Sequence, residues 1–389
     1  AVDRQAPPRT AALDLCQKIE DPGVRARAQW FLGFVECDLG DLSVSEELVN
    51  RALLTARAIA DRWCIAAALS TKAKQAMLQG ELGEVEHSGA QSLELFRALE
   101  DRWGQLQSME WLGALARIRG DYHRATHLHQ DGLRIAEELG SWPQAADQLS
   151  WLGRIAMHHG DHAQARDLHE QAMRLAARQS YTPGETFAEL GLGMVARREG
   201  RLDAAEAHLR SVLERSRAVG VTPSVAVTLS LVELGFVAEQ RGDAAAAQAL
   251  HLDGLVASRK LGDPRTMALA LEGLAGASAL AGHQGQAARL LGMADAVRRS
   301  AGTPLPPPEQ GDVARIAAAA QKALGEEAFA SEFALGANLD SHDSLNWTSP
   351  AAPPHEWLKA VRGLADERRD IGQDGRRPGP DQPARTLED

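Results

Sequence analysis

The chain has 389 residues, a formal net charge of −11, a pI near 5.7 and 44% hydrophobic but only 4% aromatic residues. An acidic chain with no concentrated basic stretch is a poor direct binder of nucleic acid, and no run of eighteen apolar residues is present to span a membrane. Few β-branched and aromatic runs favour helix over strand.

Cys16, Cys37 and Cys64 have no C-x-x-C spacing, so they read as buried hydrophobes of a reducing, cytoplasmic compartment rather than a disulfide framework. The opening A-V-D-R-Q-A-P-P has neither an initiator Met nor the apolar core of a signal peptide, which suggests a piece of a longer protein.

In chain order, "RTAALDLCQKIE" (9–20) reads as the trailing helix of a partial preceding unit spanning 1–20. From residue 21 a period takes over. Gly40, Gly80, Gly120, Gly160, Gly200, Gly242 and Gly282 are separated by steps of 40, 40, 40, 40, 42 and 40 residues. Eight and seven positions before the glycine stand Leu32-Gly33, Leu112-Gly113, Leu152-Gly153, Leu192-Gly193, Leu234-Gly235 and Leu274-Ala275; Lys72-Ala73 departs from the pattern. Five positions after it stand Ala125, Ala165, Ala205, Ala247 and Ala287, with Ser45 and Val85 in the first two units.

Each unit therefore predicts two amphipathic helices around a short turn. Helix A runs into the glycine, as in 103–120, and helix B leaves it, as in 121–140. The glycine ends helix A because it tolerates the left-handed conformation of a C-terminal turn. Pro143, Pro183, Pro223 and Pro264 start the next helix A, where a missing N–H costs little. The small residue where A meets B predicts a close approach of two backbones.

This Leu-Gly, Gly, Ala pattern resembles the tetratricopeptide repeat (TPR), with about 40 residues per unit in place of about 34. The resemblance implies an all-α, right-handed superhelical solenoid of about seven TPR-like hairpins over 21–302, stacked around one groove.

After Gly302 the period stops at "TPLPPPEQ", and 311–339 reads as two further helices, a cap spanning 303–340. Leu290-Leu291-Gly292, Pro304 with Pro306 to Pro308, and Glu326-Ala328-Phe329 resemble the C-terminal end of large actinobacterial SARP-type and LuxR-type transcriptional regulators. Those proteins join a TPR array to a STAND ATPase and a DNA-binding domain, so the resemblance implies a regulatory domain whose ATPase and DNA-binding parts lie outside this chain. Residues 341–389 read as mostly disordered. A possible short helix over 355–369, with Trp357, Leu358, Val361 and Leu364 on one face, would either dock weakly or occupy the groove and autoinhibit it.

No catalytic signature or cofactor site survives a reading of the motifs. No Gly-Lys dipeptide exists for a phosphate-binding loop. "GLGMVA" (191–196) matches a dinucleotide fingerprint but lies mid-helix with no preceding strand. The run His158-His159-Gly160-Asp161-His162 suggests a metal, but the turn splits its histidines between two helices, so a metal enzyme is the weakest reading. His129, His169 and His251 recur nine positions after their turns, as part of the repeat.

The resemblance implies a concave wall built from helix A. Projected offsets place there Lys74, Glu110, Arg117, Asp147, Arg154, His158, Met194, Arg197, Arg198 and Phe236 as candidate ligand or partner contacts. The recurring cations in an acidic chain suit carboxylates or phosphates; alternatively they are solvated or paired with Glu110 and Asp147. Trp111 and Trp151 read as packing anchors or as ligand contacts.

The expected function is a non-enzymatic sensor and protein-interaction domain of a bacterial transcriptional regulator. Its partner would be a protein, a peptide, the regulator's own ATPase and DNA-binding domains, a small-molecule effector or a second copy. The alternative is a self-standing peptide or small-molecule receptor with an Arg-lined groove.

Overall fold

A computed structural model describes residues 8–39, 41–218 and 224–338. Helix α1 (Pro8–Gln17) precedes seven antiparallel hairpins. These are α2 (Pro22–Leu39) with α3 (Leu42–Ala58), α4 (Arg62–Gln79) with α5 (Leu82–Ala98), α6 (Arg102–Ile118) with α7 (Tyr122–Glu138), and α8 (Trp142–His158) with α9 (His162–Arg178). They continue as α10 (Thr182–Arg198) with α11 (Leu202–Ala218), α12 (Val225–Gln240) with α13 (Ala244–Leu261), and α14 (Pro264–Leu280) with α15 (Gln284–Ser300). Helices α16 (Pro307–Leu324) and α17 (Glu326–Ala337) follow, and no strand occurs among the described residues. The architecture is thus an all-helical solenoid of repeated hairpins.

The turns form as their residues dictate. Gly120 and Gly160 have φ of 81° and 77°, a conformation that a Cβ would strain. The next residue caps helix B: Asp121 accepts from the Arg124 N–H at 3.0 Å and Asp161 from the Gln164 N–H at 2.9 Å. Prolines sit in the first turn of α8, α10 and α14, while Pro223 lies outside the described residues.

The small residue where A meets B does something different from the expected backbone contact. A Cβ on Gly113 would lie 2.5 Å from the His129 ring, on Gly153 2.8 Å from His169, and on Gly235 2.6 Å from His251. The space is filled by an imidazole from helix B. The following helix A yields as well, since a Cβ on Gly191 would meet His169 at 2.2 Å and one on Gly273 would meet His251 at 2.0 Å. "GLG" at 191–193 is therefore two packing positions, one for His169 and one for Leu209.

Each helix A also packs on the next unit's helix A, whereas the B helices are held apart by the A helix between them. The A helices consequently form the inner wall and are buried nearly all round. In α14 everything from Thr266 to Ser278 is buried, whereas α9 buries only Ala165, His169, Ala172 and Ala176. Helix B is the amphipathic member of each pair, helix A the enclosed one.

The two last helices have separate seats. Helix α17 crosses α15 at two glycines: a Cβ on Gly292 would lie 2.1 Å from the Phe333 carbonyl oxygen, and one on Gly336 2.0 Å from that of Arg289. Helix α16 packs on α14 and α15 and reaches α8, with Ile316 and Ala320 in the core that holds Phe236 and Leu271. The segment 355–369 lies outside the described residues. No described helix is long and apolar enough to cross a membrane.

Candidate functional site

The inner wall carries a ladder of cations over aromatic rings. The Lys74 ammonium lies 5.0 Å from the Phe34 ring centroid and 5.8 Å from that of Trp111. Arg117 lies 5.2 Å over Trp151, Arg154 5.8 Å over Phe187 and Arg197 4.8 Å over Phe236. In most rungs the cation of one helix A covers a ring on the next, so the stack follows from A-on-A packing. Each contact supplies on the order of 0.5–2 kcal/mol, more where water is excluded.

The arginines then divide into two sets. Arg197, with 2% of its side chain exposed, pairs with the fully buried Glu233 and, at 2.9 Å, with Asp312 of α16. Arg198 reaches the same Glu233 at 3.3 Å. Burial opposes the charge on Arg197, but Glu233 and Asp312 more than offset it and hold its pKa above the ordinary value. Two further pairs fix α16: Arg298 bonds Glu309 at 2.7 Å and Glu272 at 2.6 Å, and Arg315 bonds Glu239 at 2.7 Å. Of the expected Arg-lined groove, Arg197 and Arg198 are paired, though with Glu233 and Asp312 rather than Glu110 or Asp147. At its C-terminal end the groove's cations are neutralised from within, by Glu233 and by the acidic face of α16.

Arg117 and Arg154 form the other set. Neither makes a side-chain hydrogen bond or ion pair with a described residue, and both Nε atoms are buried without a partner. Burial, and then mutual repulsion, pulls Arg117 down to about 9; burial likewise pulls Arg154 down to about 10. Both remain charged at neutral pH.

Asp147, one of the acids expected to pair with the wall cations, bonds elsewhere: it accepts from the Tyr181 hydroxyl at 2.9 Å. Burial, and then the neighbouring Glu110, raises its pKa well above the ordinary carboxylate value. Met194 and Phe236 are 3% and 1% exposed, core residues rather than ligand contacts. Both lie among the buried residues of α10 and α12, in the core shared with α16.

His158 is buried as well, stacked on Tyr122 with centroids 4.9 Å apart and rings 19° from parallel. Burial, with Arg117, Arg154 and Arg198 nearby, pushes its pKa down to about 2, so the ring is neutral. No group of three His, Cys, Asp or Glu side chains able to hold a metal occurs among the described residues.

Two residues beside the wall, Trp63 and Trp103, were not anticipated. Around Trp30 and Phe34, Trp63 and Trp103 complete an aromatic cluster, with Trp30 to Trp63 at 5.0 Å and Trp30 to Trp103 at 6.2 Å. A shallow cleft beside it is lined by Trp30, Phe34, Ser70, Lys74, Trp103 and Trp111. The signal was present: Asp61-Arg62-Trp63 and Asp101-Arg102-Trp103 repeat one period apart. The Trp63 N–H donates to the Asp101 carboxylate at 2.6 Å, tying one helix-A start to the next.

Comparison with known proteins agrees with this architecture. The tetratricopeptide repeat family profile matches residues 144–219. No curated protein matches the chain in sequence. Among solved structures, a Rap protein complexed with competence and sporulation factor superposes with a TM-score of 0.51 at 15% identity, covering 70% of this chain and 81% of that one. NprR in complex with its cognate peptide NprX gives 0.50 at 12% identity, covering 89% and 94%. A STAND protein with a tetratricopeptide repeat sensor from Pyrococcus horikoshii gives 0.43 at 15% identity, covering 64% of this chain and 39% of that one. The fold is that of the tetratricopeptide-type solenoids.

Proposed function

We propose that the chain is a non-enzymatic sensor and protein-interaction domain of a bacterial transcriptional regulator, of the kind that controls antibiotic or secondary-metabolite synthesis. It binds a partner, a ligand or a neighbouring domain along its inner wall and so sets the activity or assembly of the whole protein. The observation that carries the interaction reading is the strip of Lys74, Arg117 and Arg154 over aromatic rings on successive helices A. By fold analogy, the Rap and NprR structures, each solved with a bound factor or peptide, support a binding role for such a wall. The regulatory setting is supported by the resemblance over residues 266–339. Its marks have a structural job, since Gly292 and Phe329 belong to the seam between α15 and α17.

A photo-crosslinking residue at Gln107, beside the aromatic cleft, tests the interaction reading in the native cell. It should capture a defined polypeptide or small molecule that the same probe at Glu170, on the outer face, does not capture. Equal capture from both faces, or none from Gln107, refutes the reading. The reading frame upstream of Ala1 tests the setting separately: it should encode an ATPase and a DNA-binding segment, and a frame lacking both removes the regulator.

A further inference from the structure

We propose that Arg117 and Arg154, on neighbouring inner-wall helices, form a built site for one anionic group, a carboxylate or a phosphate, carried by whatever the groove binds. This deepens the interaction reading and rests on it only for the identity of the carrier.

Burying these two cations carries a cost. Arg154 is 8% exposed and its Nε is buried without a partner; the Nε of Arg117 is likewise buried and unpaired. A buried guanidinium without an acceptor is expensive, and two within each other's field add repulsion. Two other buried arginines are fully matched by acids. The buried Arg197 and Arg298 each have two carboxylates, one on the wall and one on α16. Arg198, whose Nε also lacks a partner, still reaches Glu233, whereas Arg117 and Arg154 reach no carboxylate among the described residues.

The surroundings do not relieve the deficit. Glu309 and Glu233 are near enough to be felt by Arg154, and Glu309 and the Tyr122 hydroxyl by Arg117. Glu309, however, is bonded to Arg298, and Glu233 is shared by Arg197 and Arg198. Arg265 adds further positive charge and is itself held by Asp263. His158, buried beside them with an unpartnered Nδ1, contributes no charge.

Geometry favours a planar or tetrahedral oxyanion. Each guanidinium carbon sits over a ring, Arg117 5.2 Å from Trp151 and Arg154 5.8 Å from Phe187, and each keeps an Nε donor without an acceptor. Such preorganisation lowers the entropy lost on binding. The aromatic cleft around Trp30 and Trp103 continues the same wall toward the N-terminus through Lys74 and Trp111.

Calorimetric titration of the full chain in low-chloride buffer tests the site, with inorganic phosphate in one arm and succinate in the other. One of the two should bind with unit stoichiometry, and the stronger identifies the source of the oxyanion. Arg117→Met and Arg154→Met should each weaken it by about tenfold or more, the worth of one charge-assisted hydrogen bond. Arg154→Lys keeps the charge without the fork and should fall between; it also covers the case in which Arg154→Met fails to fold, as judged by circular dichroism. Arg174→Met, on the outer face, should change nothing. Absence of binding by both probes, or binding that survives both methionine variants, overturns the proposal. Anion binding without any groove-directed partner would leave this site standing and remove the interaction reading instead.

Discussion

Replacement of His169 by leucine should reduce the acid sensitivity of the fold. His169 is fully buried between Gly153 and Gly191, and neither ring nitrogen has a partner. Burial, and then Arg154, pushes its pKa down to about 3, against about 6.5 in an unfolded chain. Because the folded value is the lower one, the unfolded state binds the proton first. The neutral ring's contribution is complete above pH about 6.5 and is lost as the pH falls toward 3. One unit below 6.5 the loss is about 1.4 kcal/mol per site. His129, pushed down to about 4, and His251, to about 3, behave alike, so the three together cost about 4 kcal/mol between pH 7.5 and 5.5.

Leucine fits because Leu209 occupies the same register position one unit later, fully buried against Gly193. Urea unfolding at pH 7.5, 6.5 and 5.5 measures the effect. The His169→Leu slope should be shallower than that of the parent by about 1 kcal/mol over the interval. Parallel slopes would mean that the ring protonates freely in the folded protein, and would refute the packing described for it.

Three other perturbations probe the seams. Arg197→Met leaves the buried Glu233 with Arg198 alone and strips Asp312 of its wall partner; it should cost about 3 kcal/mol and make α16 accessible to limited proteolysis. Gly292→Val drives a side chain into the Phe333 carbonyl and should detach α17, seen as rapid hydrogen exchange over 326–337 at a cost of about 3 kcal/mol. Ser180, a non-glycine residue at φ 52°, sits twenty positions past its turn, where Gly140 has φ 65°. Ser180→Gly should therefore stabilise by about 1 kcal/mol in thermal unfolding.

The hairpin solenoid was legible because turn glycines, first-turn prolines and small residues act locally and recur at one period. The Leu-Gly position was readable as a place needing a small residue, but not as a seat for an imidazole. That required knowing that helix B of one unit also faces helix A of the next, as His169 faces Gly191. The state of the projected wall residues was not legible. Nothing local in Arg197 or Arg154 tells which will find a carboxylate, since the deciding partner, Asp312, is 115 residues away from Arg197. Trp63 and Trp103 were missed for the opposite reason: their D-R-W signal repeats only once, in the two units bordering the cleft.

The central claim is that recognition runs along the inner wall, with Arg117 on it and Arg174 off it. The most direct measurement is the affinity of the species captured at Gln107 for the parent, for Arg117→Glu and for Arg174→Glu. The account predicts that Arg117→Glu weakens binding by about tenfold or more, while Arg174→Glu leaves it unchanged. Equal losses from the two reversals, or none from Arg117→Glu, would contradict it.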